Sequence, residues 1–227
     1  MKTKLTGVCL PVLLSLLSGS FSFGQIQAPH ETSASRVVWH FVARSLVNPS
    51  NRTSQVIGYF TDLDGVSVSL FRGTPSETTA CLTLRTDVFT AQPLPNNGSI
   101  ALSVPGPVIL HLYFNPSPSN NWNDPDTFSS GQEVARFNRS ANVSVSDGSI
   151  SSATFSLDLL FSQDFTINGQ EVNFAKIAPH GVTNSNIGST TPVTGSGNFT
   201  LALPFVAAGI AIGNDETHGQ WESADQN

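Results

Sequence analysis

Cysteine is nearly absent from this chain: Cys9 and Cys81 are the only two in 227 residues. Cys9 falls in an amino-terminal export signal, described below, so Cys81 has no intramolecular partner. No disulfide framework is expected, and a chain of this length can bury a sufficient core without one. Past the first few positions lysine is rarer still, with Lys176 standing alone. Charged side chains make up only 11% of the chain, and acids outnumber bases 16 to 10. Such a surface repels phosphate backbones, which argues against nucleic acid as a partner.

Chemical motifs are missing as well. There is no CxxC pair, no phosphate-cradling glycine loop and no G-x-S-x-G elbow. The five histidines, His30, His40, His111, His180 and His218, never fall into H-x-H or H-x-x-x-H spacing. No apolar run reaches the roughly 20 residues that cross a bilayer. The apolar stretch Phe199–Ile212 reads as core.

At the amino terminus, Lys2 and Lys4 precede a short apolar run, Leu10–Leu17, and Ser22-Phe23-Gly24 offers a cleavage site with small residues where they are needed. Residues 1–24 therefore read as a secretory signal peptide. Residues 25–35 read as a polar leader, 36–213 as a single β domain, and 214–227 as a flexible acidic tail. Export places the mature chain outside the cytoplasm, secreted or periplasmic. Removing the signal takes two of the ten bases and no acid, so the acidic balance deepens.

Asx-Gly dipeptides punctuate the domain: Asp64-Gly65, Asn97-Gly98, Asp147-Gly148 and Asn168-Gly169. A two-residue hairpin loop needs positive φ at both central positions, which Asn or Asp followed by Gly tolerates best. The flanking segments alternate apolar and polar with period two. Strands are expected at Val37–Arg44, Gln55–Thr61, Val66–Arg72, Ala80–Thr90, Ser99–Val104, Val108–Phe114, Gln132–Asn138, Asn142–Ser146, Ile150–Phe161 and Phe199–Ile212. The Asn168-Gly169 turn should pair Asp164–Ile167 with Gln170–Phe174 and set Phe165 against Val172. Residues 115–131 and 179–197 read as two long polar loops. The fold class is all-β: one antiparallel sandwich or closed barrel of about ten strands. In size and texture the chain resembles small secreted barrels such as the lipocalin and dirigent groups. That likeness is one of architecture and carries no site residues, because their diagnostic motifs do not occur here.

Three sets of residues offer chemistry. Asn121, Trp122, Asn123, Asp124 and Asp126 combine an aromatic face with amides and carboxylates, the make-up of a glycan or ligand platform; the competing expectation is that Trp122 folds back over one mouth of the domain. Asp124, Asp126 and Glu133 gather oxygens of the kind calcium takes, although Pro125 breaks the spacing and Asx side chains often cap their own backbone. Calcium is the only cofactor the residues suggest. Finally, His40 and His111 lie in apolar strands. With Tyr113, Tyr59 and Arg136 they would line the cavity of a barrel and give an acid–base site, with His180 capping the opening. Cys81 and the turn Asp62-Leu63-Asp64-Gly65 read as structural.

The favoured expectation is a secreted, non-catalytic β domain with a structural or glycan-binding role carried by its polar loops. Its rival is a barrel that holds a small apolar ligand, with an isomerase or cyclase as the catalytic form.

Overall fold

The computed structural model describes residues 36–93, 101–105 and 108–212. The expected signal peptide, leader, acidic tail and Asn97-Gly98 turn lie outside the described residues, as do His30 and His218. Every described residue belongs to a single compact unit.

Strands β1 (Val37–Asn48) and β2 (Thr53–Leu63) form a hairpin. Next come β3 (Leu82–Thr86) and β4 (Phe89–Pro93), then β5 (Ala101–Pro105) and β6 (Val108–Phe114). Leu82 opposite Phe114 and Pro93 opposite Ser103 belong to one uninterrupted register. The Asp87 N–H donates to the Ile109 carbonyl at 3.0 Å between them. These four strands therefore act as two long staves. They are followed by β7 (Gln132–Asp147), β8 (Ile150–Ser162), β9 (Phe165–Ile167), β10 (Gln170–Val172), helix α1 (Phe174–Ile177), β11 (Val182–Ser189), β12 (Val193–Thr194) and β13 (Leu201–Ala211).

Antiparallel pairing runs from β1 through β2, β3, β6, β7, β8, β11 and β13, then back to β1. The sheet is thus a closed eight-stave barrel, which settles barrel against sandwich. Closure pairs each of the eight staves on both sides, as an open sheet cannot.

Alternation divides each stave into an inner and an outer face. On β6, Val108, Leu110, Leu112 and Phe114 are buried while Ile109, His111 and Tyr113 alternate outward. The three long connections, 64–81, 115–131 and 163–181, all leave from one end of the barrel, and two of them plug it. Leu70 and Phe71 from the first and Phe165, Ile167, Val172 and Phe174 from the third are buried there. Phe174, on a helix capped by the Asn173 side chain, inserts among Trp39, Phe60 and Phe137 at centroid distances of 6.2, 6.3 and 6.3 Å. The Trp39 indole meets Phe60 and Phe137 edge-on at 5.7 and 5.6 Å, a geometry that aromatic quadrupoles favour. Its Nε1 donates to Asn184 Oδ1 at 3.1 Å. Gly209 makes room for this ring: a Cβ there would fall 2.2 Å from Trp39 Nε1.

Several expected elements changed on folding. The Asn168-Gly169 hairpin forms as expected, with φ of +46° and +86° and Phe165 opposite Val172. The Asp64-Gly65 turn also forms, with the Val66 N–H donating to the Leu63 carbonyl at 3.1 Å. However, Val66–Arg72 does not return as a strand; its apolar residues cover the barrel end instead. At the β7–β8 hairpin the two-residue loop is Gly148-Ser149, since Asp147 pairs Ile150. Residues 132–147 form one bulged strand rather than two. The expected loop 179–197 contains a stave, β11. Its Thr, Asn and Ser residues satisfy period two as well as apolar ones would, because inward Asn184 and Asn186 accept hydrogen bonds from the Trp39 indole and the Ala153 N–H. Phe161 leaves the inner face at a register shift opposite Arg136/Phe137 and lies beneath the Arg136 guanidinium at 5.6 Å.

Candidate functional site

An eight-stranded barrel is just wide enough for its interior side chains to fill it. Substituting small residues for large ones on facing staves must therefore leave a void. Away from the Trp39 cluster the inward positions are Ser45 on β1, Ser54 on β2, Ser146 on β7, and Ser151 and Ala153 on β8. A cavity of about 280 Å³ opens among them. Phe41, Val56, Leu84, Leu110, Phe155 and Phe205 supply its apolar walls, while Thr86 and Asn186 are turned to the backbone. Thr86 Oγ1 accepts from the Val56 N–H at 2.9 Å, and Asn186 Oδ1 from the Ala153 N–H at 3.0 Å.

Among the described residues, one charged side chain lines this space. Arg139 sits on β7 opposite Val108 on one side and Leu157 on the other, both inward positions. A register shift between Arg139 and Ala141 follows it. Arg139 is only 7% exposed, and its Nε and Nη2 have no hydrogen-bond partner among the described residues. Its guanidinium carbon lies 4.4 Å from the Phe89 ring centroid and 5.6 Å from that of Phe155. Burial alone lowers its pKa to about 10, so it stays charged at neutral pH. None of the described lining residues is Asp or Glu. A buried cation without a counter-charge costs several kcal/mol in desolvation, and cation–π contacts of roughly 0.5–2 kcal/mol each offset only part of that.

The residues expected to line a cavity are elsewhere. His40 projects from the outer wall beside Asp62, Nδ1 to Oδ2 3.5 Å, with about half its side chain exposed. His111 and Tyr113 are outward on β6, because Leu110 and Leu112 between them take the inner face. Their rings stack at 6.2 Å. His111 bridges two carboxylates, Nδ1 to Glu133 Oε1 at 2.5 Å and Nε2 to Asp87 Oδ1 at 3.3 Å. Arg136 is outward too and binds Glu133 through Nε and Nη2. That bond, with His111 adding to it, holds the Glu133 carboxyl below its ordinary pKa. Burial pushes the Tyr113 phenol up, and Glu133 adds to the effect. Tyr59 belongs to a small apolar cluster on the outer wall, and His180 lies exposed in a turn.

The 115–131 segment packs along the outer wall rather than over a mouth. Phe128 is fully buried with Leu46, Ile57 and Ala202, and Trp122 joins them in part. The Trp122 ring lies 4.9 Å from Phe128 and 5.8 Å from Tyr59, and the Arg44 guanidinium covers it at 4.4 Å. Asn121 Oδ1 accepts from the Asn123 N–H at 2.9 Å, and Asp124 Oδ1 from the Asp126 N–H at 3.3 Å. These side chains cap their own turn. Asp126 pairs with Arg85 at 2.8 Å while Glu133 pairs with Arg136 and His111, so Asp124, Asp126 and Glu133 each have a different partner. Among the described residues no three His, Cys, Asp or Glu side chains converge in a metal-holding group. Cys81 is buried, and burial raises its thiol pKa.

The expected strand Gln132–Asn138 stops one residue short of Arg139, which lies within β7. Carrying the alternation one step further from Phe137 would have placed it indoors. The small residues carried no such signal, since a serine on a strand looks the same facing in or out. Comparison with known protein families, curated proteins and solved structures returns no match to this chain.

Proposed function

We propose that this protein is an exported barrel that holds a small, mainly apolar molecule in the cavity of its hollow half. The observation that carries this reading is the contrast in filling: one end of the interior is solid aromatic packing, while the other keeps about 280 Å³ open behind apolar walls. Genuine voids in protein interiors are few and costly, so a chain that uses serine and alanine at facing inward positions is shaped for an occupant. The volume is near the lower bound of ordinary ligand pockets, roughly 300–1,000 Å³. That suits a single ring system or a medium-length chain. Holding is favoured over conversion, because the described lining offers no His, Asp, Glu, Cys or Tyr side chain. The loop platform receives less support, since Arg44 and Phe128 already engage the Trp122 ring.

A thermal-shift panel of small apolar molecules, soluble glycans, and calcium with and without chelator tests the reading. A ligand that binds only the folded state adds about 2.7 kcal/mol of stability at a hundredfold excess over its dissociation constant. Apolar compounds should raise the melting temperature. A shift from glycans or calcium alone would move the function to the 115–131 segment.

A further inference from the structure

Resting on the reading of the cavity as a small-molecule site, we propose that its ligand carries a carboxylate on an apolar body, and that Arg139 receives that carboxylate. Three observations converge on this assignment. Arg139 is more than nine-tenths buried in the cavity wall, with no acid among the described lining residues to neutralise it. Its two unpartnered nitrogens, Nε and Nη2, belong to one edge of the guanidinium. Two parallel N–H donors on that edge match the two oxygens of a carboxylate. The Phe89 and Phe155 rings, with centroids 4.4 and 5.6 Å from the guanidinium carbon, fix the group before any ligand arrives, and its two buried nitrogens are left without an acceptor among the described residues.

The fold itself has no use for the charge. At the packed end the same inward faces are filled by Trp39, Phe60, Phe137 and Phe174 without any ion. Arg139 stands alone as the charged residue of the described lining, so a singly charged carboxylate balances it, whereas a phosphate monoester would bring excess charge into an apolar space. Phe41, Val56, Leu84, Leu110 and Phe205 then bury the apolar body.

The test uses the full chain and a neutral fluorescent reporter of apolar sites, N-phenyl-1-naphthylamine. Decanoic acid, methyl decanoate and 1-decanol compete for it at neutral pH, against wild type, Arg139→Met and Arg139→Lys. Decanoate should displace the reporter at about tenfold lower concentration than the ester or alcohol, as charge-assisted hydrogen bonds imply. Arg139→Met should erase that preference while still binding decanol, which shows that the variant is folded; Arg139→Lys should retain part of it. Equal displacement by acid and ester in wild type, or a preference unchanged in Arg139→Met, would overturn the assignment and leave the cavity reading standing. Failure of the reporter and all three competitors to bind wild type would overturn both.

Discussion

Around Trp39 the barrel interior is filled by rings that meet edge to face; around Arg139, farther along the same staves, it is lined by serines and left open. Both regions use the same backbone alternation, so the difference lies in the side chains that fill it. The packed end is where stability is made. It buries an indole with its N–H satisfied, it leaves no room for a Cβ at Gly209, and the 64–81 and 163–181 connections plug it. At the hollow end, stability is given up for a space and a fixed cation with no counter-charge among the described lining residues. Joined in one closed barrel, the first can carry the cost of the second, as when a rigid scaffold supports a strained site.

Substitutions should therefore act with opposite sign in the two regions. The largest effect is expected from Trp39→Ala, which removes a fully buried side chain and orphans Asn184 Oδ1 as well. A loss of about 3–5 kcal/mol should appear in urea unfolding, with apolar-ligand binding lost only as the fold is lost. Arg139→Met should do the reverse: stability of the ligand-free protein rises, on the order of 1–4 kcal/mol, because an uncompensated buried charge disappears. Calorimetry without ligand reads this directly, and a loss of stability would mean that Arg139 has an internal partner. Trp122→Ala, on the outer wall, should cost about 1–2 kcal/mol, less than a buried aromatic, and leave cavity binding unchanged in a displacement titration.

The smallest effect concerns pH. The folded-state pKa of Glu133 is held below its ordinary 4.5 by the Arg136 hydrogen bond and by His111. The unfolded chain thus takes up that proton at higher pH than the folded one does. The stability Glu133 contributes is present above about pH 4.5 and is lost as the pH falls through its depressed folded value. Glu133→Gln should flatten the acid limb of the stability curve by under about 1 kcal/mol, as for a partly exposed pair.

How far the sequence could be read follows from what each part depends on. Turns and half-buried strands depend on local chemistry, so Asn168-Gly169 and the alternation of Val108–Phe114 were legible. Val66–Arg72 was not, because its apolar residues satisfy a strand pattern and a plug equally well. β11 was hidden by its polarity: the partners that let Asn184 and Asn186 point inward lie on distant strands. The two strand histidines were misplaced for a related reason. In an apolar run a histidine takes whichever face the alternation leaves it, and His111 falls between two inward leucines. A cavity is less legible still, being an absence of volume shared by residues on many staves.

The most direct measurement is an NMR map of amide and side-chain shifts in the labelled full chain as decanoate is added. The account expects the changes to gather at Phe41, Val56, Leu110, Arg139 and Ala153, with the Trp39 indole and the 121–126 turn unmoved. Shifts centred on Trp122 and its neighbours, or none at the hollow end, would contradict it.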